Sequence, residues 1–232
     1  MRLRPMTATD SITDTAPDRV AIDQLVRTGQ PVTLTQCDLQ GLDLSGLDMV
    51  GWHFQRCNLA GTAFERAVLE DARFTSCRAG AARFDGAEMS DITIDGGDFS
   101  NAGFRRAVLS SARIAGCKMT GANLTDARTD GIGLQDVLLV LAVLPKLSLR
   151  KAVLRQVNFS EADLSQCDFR DAVFEGCSLR DANLTDSRFE GADLRGADLG
   201  GVRLTDAGRF RGAVISKQQA ADLLGQMGLR VL

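Results

Sequence analysis

Apolar residues recur at every fifth position from Leu34 to Leu204, in one unbroken register. Of these 35 positions, 33 hold Leu, Phe, Ile or Met, and Ala79 and Thr129 are the exceptions. Two residues before each lies a second, smaller position, where 16 of the 35 are Ala and six are Cys. A period of five fits neither an α-helix, with about 3.6 residues per turn, nor a strand, whose side chains alternate. The pattern predicts a solenoid, in which each repeat buries its apolar residues against its neighbours.

The repeat reads Ala-Asp/Asn-Leu followed by two variable residues, most plainly at residues 122–124, 162–164, 182–184 and 192–194. Glycine recurs two places after the large residue, where the chain must turn. This motif resembles the pentapeptide-repeat family over about three quarters of the chain. The resemblance implies an all-β solenoid: a right-handed quadrilateral β-helix in which four pentapeptides form one square coil. The 35 repeats would then make between eight and nine coils.

Neither the composition nor the motifs of the chain indicate a catalytic or ligand-binding site. The net charge is −3, and the longest apolar run, residues 137–144, is too short to span a membrane. The N-terminus lacks the apolar segment of a signal peptide, so we expect a cytoplasmic protein. His53, the one histidine, lies at an outward position without a carboxylate pair oriented toward it. There is no Gly-rich phosphate loop either, so we expect a non-enzymatic protein without a catalytic, cofactor or metal site.

All six cysteines occupy the smaller inward position of their repeats. When four pentapeptides make one coil, five of the cysteines fall in one column and Cys167 falls on the opposite side. A parallel ladder of thiols does not converge on a tetrahedral zinc ion, and parallel side chains do not favour a disulfide. We therefore expect buried, free thiols that pack like a slightly larger alanine. The five residues of the column are Cys37, Cys57, Cys77, Cys117 and Cys177.

The N-terminal end needs a cover, because a stacked β-helix exposes unpaired strand edges. Residues 1–16 are polar and predict a flexible tail. Residues 17–30 predict a capping helix, with Thr15 at its N-cap and with Val20 among the residues over the first coil. We expect this helix to cap the stack rather than to bind a ligand.

The β-helix is expected to occupy residues 31–215. Its register shifts by one residue near the end, which would turn Phe210 and Ile215 inward. Residues 216–232 predict a helix capped by Ser216 and followed by an apolar tail.

This C-terminal segment resembles the tail of the quinolone-resistance (Qnr and Mfp) groups of the family. The resemblance is carried by Gln219-Ala220, by Leu223-Leu224 and by residues 228–231. In those groups the tail joins two solenoids end to end, so the resemblance implies a homodimer. Its expected interface residues are Leu223, Leu224, Met227, Leu229 and Val231.

One wall of the square coil concentrates acidic residues, and we call it the acidic wall. Its inward residues are Met49, Leu69, Met89, Leu109, Thr129, Leu149, Phe169 and Phe189. It carries nine acids and five bases, whereas the other three walls have a small net charge. The charges are either ordinary surface polarity or a stripe that meets a basic groove on a partner. The nine acids are Asp48, Glu70, Asp71, Glu88, Asp91, Asp130, Asp168, Asp171 and Glu190.

The middle of the chain places apolar residues at outward positions, and we call this the apolar patch. It has three interpretations: a locally distorted coil, a surface covered by the N-terminal segment, or a contact surface. Its residues are Leu138, Val140, Leu141 and Val143.

Resemblance to the Qnr and Mfp groups implies a function for the acidic wall. Members of these groups imitate duplex DNA in shape and charge and bind DNA gyrase or topoisomerase IV, which they protect from quinolones or natural-product poisons. We therefore expect a DNA-mimicking partner of a type II topoisomerase, with no direct contact to nucleic acid or membrane. The weak net charge and the absence of projecting loops depart from that pattern. The alternative is an interaction scaffold or effector module without a topoisomerase partner.

Overall fold

A computed structural model of the protein describes residues 10–202, 207–226 and 228–230. The chain winds into a parallel β-solenoid, in which equivalent residues of successive coils lie one above the other, as Phe54 pairs with Phe74. Nine strands stack in chain order on one wall of the described coils, and short β-bridges connect the coils on the other walls. This confirms the predicted β-helix. We number the walls from the stacked strands onward as walls 1 to 4, so wall 4 is the acidic wall.

The regular elements are short because each side of a coil is only one pentapeptide long. The two helices are α1 (Arg19–Arg27) and α2 (Lys217–Gln226), and a 3₁₀ turn covers Ala207–Phe210. The strands of wall 1 are β1 (Asp10–Thr13), β2 (Val32–Thr35), β3 (His53–Gln55), β4 (Arg73–Arg78), β5 (Thr93–Asp98), β6 (Arg113–Lys118), β7 (Gly133–Gln135), β8 (Val153–Arg155) and β9 (Val173–Glu175). A separate pair consists of β10 (Cys177–Ser178) and β11 (Ala197–Asp198).

Most pentapeptides make the same backbone contacts with the coils on either side. The large residue donates its N–H to a carbonyl of the following coil, as Leu39 does to Asn58 O at 2.8 Å. Two residues after it, the chain turns the corner with a positive φ, for example 68° at Gly41. Gly97 shows where only glycine fits, because a Cβ there would lie 2.3 Å from the carbonyl oxygen of Cys77.

The core consists of columns of stacked side chains, to which each coil contributes one residue per column. Phe64, Phe84 and Phe104 lie one above the other, with ring centroids 4.9 Å apart and nearly parallel planes. Near the C-terminal end Phe189 stacks on Phe210 at the same distance, although the spacing between them is one residue longer than in the regular coils. The predicted shift of register is therefore confirmed for Phe210. Val214 pairs in parallel with Asp193, so Ile215 is in register with the inward Leu194, and its side chain is 37% exposed in the last coil.

The N-terminal end differs from the sequence-based expectation in two ways. Within the expected flexible tail, residues 10–13 form β1, which pairs in parallel with β2 and extends wall 1 by one strand. Thr15 is not the N-cap of α1, since its carbonyl accepts a hydrogen bond from Asp38 N and so continues this pairing. Asp18 caps α1 instead by accepting from the N–H of Ala21 at 2.8 Å. Val20 is 62% exposed, and Ile22 is the fully buried residue of α1.

Candidate partner-binding surface

The predicted acidic residues lie in vertical columns on wall 4. Asp71 and Asp91 occupy equivalent turn positions in adjacent coils, with φ of 56° and 59°. Asp48 and Glu88 belong to a second column, in which Val68 pairs with both of them. Together with Glu70, these side chains are exposed. The backbone therefore gathers five carboxylates on one face of three successive coils, as the sequence predicts.

The carboxylates of this N-terminal group are not neutralised by neighbouring side chains. No Lys or Arg among the described residues forms an ion pair with any of the five. Asp48 makes a local hydrogen bond, in which Oδ1 accepts from the N–H of Val50 at 3.3 Å. Their negative charge is thus free to act on a partner.

Acids at the other end of the same wall are paired. Asp168 forms an ion pair with Arg170 at 2.5 Å, and Glu190 forms one with Arg188 at 3.0 Å. Asp171 lies 3.6 Å from Arg150. The hydrogen bonds that the Arg170 guanidinium donates hold the pKa of Asp168 below its ordinary value, which burial opposes. Asp130, between the two groups, is exposed and makes no ion pair with the described residues.

A groove runs along the corner where wall 4 meets wall 1. Asp71 and Asp91 line one side, and Arg73 and Arg113 line the other. Its volume is about 640 Å³. His53 also faces this groove, and its Nε2 lies 2.9 Å from Thr75 Oγ1. Burial, reinforced by the positive charge of Arg73, lowers the pKa of His53.

Sequence reasoning missed this groove because it counted charges one wall at a time. Asp71 belongs to wall 4 and Arg73 to wall 1, yet they are separated by only one inward residue, Ala72. His53, interpreted as an isolated surface residue, shares the groove with two carboxylates. Comparing equivalent positions of successive coils on both sides of a corner would have placed these groups together.

The stack opens slightly on wall 4 at Thr129. The regular hydrogen bond from the N–H of Thr129 to Ser148 O is missing, and the Thr129 hydroxyl donates to that oxygen at 3.4 Å. Ile132 and Leu147 occupy the smaller inward positions nearby, where most repeats hold Ala or Cys. Their bulk separates the coils and leaves an apolar cavity of about 10 Å³.

On the opposite wall, the apolar patch keeps a regular backbone. Leu139 donates to Asn158 O at 2.8 Å, and Leu141 turns the corner with a φ of 58°. The backbone is thus regular at the patch itself, and the irregularity of this coil lies on wall 4. Leu138 is 45% exposed and Leu141 is 55% exposed. Residues 1–9 lie outside the described residues, so covering by the N-terminal segment stays a hypothesis beside the contact surface.

The C-terminal helix is fastened to the last coil by one glutamine. Gln219 Oε1 accepts from the N–H of Ser216, and the Ser216 hydroxyl accepts from the N–H of Gln219. This reciprocal pair is a capping box, as expected for a helix beginning after Ser216. Gln219 Nε2 also donates to the carbonyls of Leu194 and Ala197, at 2.7 and 2.6 Å. The helix is thereby fixed over carbonyl groups of the final coil.

The expected dimer residues separate into three groups. Leu223 is buried within the chain and packs against the core, and its place in a subunit interface stays a prediction. Leu224 and Leu229 are exposed, and the N–H of Leu229 donates to Leu224 O at 3.1 Å where the helix ends. Met227 and Val231 lie outside the residues whose side chains the structure describes.

All six cysteines are buried and free, as the sequence predicts. Burial raises the pKa of the Cys117 and Cys167 thiols to about 12, which keeps them protonated and unreactive. No cluster of metal-binding side chains occurs among the described residues. Within the same residues, no helix is long and apolar enough to cross a membrane.

Comparisons with known proteins agree with this architecture. A family model of pentapeptide repeats matches residues 87–126, 134–171 and 167–206, and a model of a pentapeptide repeat region matches residues 30–102. No curated protein matches the chain.

Several solved structures also resemble the chain. Two trypsin-treated variants of QnrB1, a plasmid-mediated fluoroquinolone resistance protein, are each 22% identical to it, with TM-scores of 0.57 and 0.55. Each match covers 97% of this chain and 98% of the other. HetL, a pentapeptide repeat protein involved in heterocyst differentiation regulation in the cyanobacterium Nostoc, is 24% identical over 85% of this chain and 94% of its own, with a TM-score of 0.44. The repeats, the coil geometry and the family models together show that the chain belongs to the pentapeptide-repeat family.

Proposed function

We propose that the protein is a non-enzymatic, cytoplasmic partner of a type II topoisomerase, either DNA gyrase or topoisomerase IV. It imitates duplex DNA with the N-terminal part of its acidic wall, and it modulates the enzyme or protects it from quinolones or natural-product poisons. The observation that carries this proposal is the group of five exposed carboxylates without ion-pair partners among the described residues: Asp48, Glu70, Asp71, Glu88 and Asp91.

The spacing of these charges supports the proposal. Successive coils are about 4.8 Å apart, so the five carboxylates on three coils fall within roughly 10 Å of rod. That is about one charge per 2 Å, of the same order as duplex DNA, which carries one charge per about 1.7 Å. A protein groove that binds a duplex through Lys and Arg would meet a comparable array here.

Likeness to QnrB1 agrees with this proposal but adds only the fold, because the identity is 22%. The specific support comes from the charges of this chain. A second copy would lengthen the charged rod, and the exposed Leu224 and Leu229 suit a two-fold contact at the C-terminal end. We therefore include a homodimer in the proposal.

A supercoiling assay tests the function directly. Purified protein is added to DNA gyrase at micromolar concentration, with and without ciprofloxacin, and we expect either inhibition of supercoiling or protection from the drug. Glu70→Lys with Asp71→Lys should abolish most of this effect, because it reverses two charges of the array. The matched control is Glu161→Lys with Asp181→Lys, which reverses two exposed acids on wall 2 that form no ion pair with the described residues. An unaffected gyrase, or an equal loss in both variants, would contradict the proposal.

The alternative function, an interaction scaffold without a topoisomerase partner, has its own observation. The exposed Leu138 and Leu141 form an apolar surface on the wall opposite the acidic one. If this surface is the site of action, Leu141→Asp removes the protein's activity while the charge reversals on wall 4 leave it intact. The two variants therefore separate the two functions.

A further inference from the structure

The groove at the corner of walls 4 and 1 carries both signs of charge. Its lining includes Asp71 and Asp91 on one side and Arg73 and Arg113 on the other. No ion pair joins these four groups to each other or to other described residues. Opposite charges that share a groove without pairing are available to a third group.

Backbone position explains why these neighbours do not pair. In Asp168–Arg170 and Asp193–Arg195, the two residues flank one inward side chain on the same wall, and they pair at 2.5 and 2.6 Å. Asp71 instead occupies the left-handed turn, and Arg73 lies beyond the corner on the next wall. The corner directs the two groups apart and leaves a trough between them.

The dimensions of the trough suit an extended chain. Lining residues run from Thr33 through His53, Arg73 and Thr93 to Arg113, which are in register on five successive coils. At about 4.8 Å per coil, the trough is roughly 19 Å long. An extended polypeptide rises about 3.3 Å per residue, so about six residues fill this length.

We infer that this groove binds an extended polypeptide segment of the partner that carries both basic and acidic side chains. Basic side chains of the segment meet Asp71 and Asp91, and its acidic side chains meet Arg73 and Arg113. A nucleic acid satisfies only the arginines, and a purely basic tail satisfies only the carboxylates. This inference rests on the proposed function, since it adds mixed-charge recognition of the topoisomerase to the imitation of DNA.

The arginines give a test in which the two modes of binding predict opposite signs. If the wall acts only by imitating DNA, Arg73→Gln with Arg113→Gln makes the surface more negative and tightens binding by a few-fold. If the groove recognises acidic side chains as well, the same variant weakens binding by about tenfold. The measurement is the dissociation constant for fluorescently labelled protein and purified DNA gyrase at fixed ionic strength.

A matched control removes the same charge elsewhere. Arg78→Gln with Arg105→Gln neutralises two exposed arginines on walls 2 and 3 that form no ion pair with the described residues, and should leave the affinity near that of the wild type. Asp71→Asn with Asp91→Asn should also weaken binding, because it removes the other side of the groove. Thermal melts of all variants should match the wild type, since the four groove residues form no ion pairs within the described part of the chain.

The outcomes separate the two proposals. If wild-type protein fails to bind gyrase at micromolar concentration, the proposed function and this inference both fall. If wild-type protein binds and the Arg73/Arg113 variant binds as well as the control or better, only the inference is overturned. Loss of binding in that variant, with the control unchanged, supports mixed-charge recognition.

Discussion

The N-terminal and C-terminal coils have the same backbone fold but differ in how many of their arginines form ion pairs. All six arginines between residues 150 and 200 form ion pairs with carboxylates. Of the nine between residues 50 and 130, all of them described, only Arg83 does so, with Glu65. Exposed ion pairs contribute only about 0–1 kcal/mol each, so this pairing has little effect on stability. The ion pairs reduce the local electric field of the carboxylates in the C-terminal coils. In the N-terminal coils, where few arginines form ion pairs, that field is not reduced in this way.

The solenoid allows this division because its fold does not depend on the outward residues. Inward residues such as Phe84 and Phe189 stack in the same way in both halves. Outward positions can therefore carry any pattern of charge without disturbing the coil. Under the proposed function, the N-terminal coils are therefore the part of the protein that we expect to meet the partner.

The largest expected effect concerns the aromatic columns of the N-terminal half. Phe84→Ala should lower the free energy of unfolding by about 3–5 kcal/mol, because it leaves a cavity between Phe64 and Phe104. Leu134→Ala, beside the existing cavity of the middle coil, should cost less, about 2–3 kcal/mol. Urea unfolding of both variants measures the two costs. Equal losses of free energy of unfolding would show that the coil of Leu134 is packed as tightly as the coils that hold the stacked Phe residues.

A smaller effect of opposite sign is expected where the two halves meet. Thr129→Leu places an apolar side chain at the inward position beside the cavity, and should raise the free energy of unfolding by about 1 kcal/mol. The hydroxyl that it removes makes only a long hydrogen bond of 3.4 Å. The same urea experiment measures this gain. A destabilised variant would show that the opening on wall 4 offers no room for the larger side chain.

The core could be predicted from the sequence because the repeat identifies every inward position. The period of five fixes which side chains point inward, and the closure of four pentapeptides into one coil fixes which of them stack. The column of Phe64, Phe84 and Phe104 follows directly. Strand β1 could not be predicted this way, since residues 10–13 precede the repeats and join wall 1 through backbone pairing alone.

The candidate site could be predicted only in part. The sequence places the five N-terminal acids on one wall, but whether they pair depends on contacts between walls and coils. Arg150 reaches Asp171 from one coil to the next, while Arg73 does not reach Asp71 across a corner. The burial of Leu223 within the chain could not be predicted for a similar reason, because the contacts of Gln219 determine how the C-terminal helix lies on the last coil.

The difference in ion pairing between the two halves can be reduced by removing the arginines that pair with the acids of the C-terminal half. Arg170→Gln with Arg188→Gln removes the partners of Asp168 and Glu190, and should change the free energy of unfolding by less than about 1 kcal/mol. It should also raise the affinity for gyrase by about two- to threefold, since the acidic array becomes longer. The control is Arg180→Gln, which frees Asp198 on wall 2. A large loss of stability would show that the pairs are structural.

The smallest expected effect is the pH dependence of one of these pairs. Hydrogen bonds from Arg170 hold the pKa of Asp168 below its ordinary value of 3.8, whereas the unfolded chain protonates near that value. The unfolded state therefore binds more protons in the interval between the two pKa values, and stability falls as the pH decreases through it. The contribution is fully present above the unfolded pKa and is lost as the pH falls through the folded pKa. Melting curves between about pH 5 and about pH 3 should show a shallower decline for Asp168→Asn than for the wild type. Identical slopes would mean that the Arg170 pair makes no difference to folding, and that the two halves of the rod differ only in the field they present.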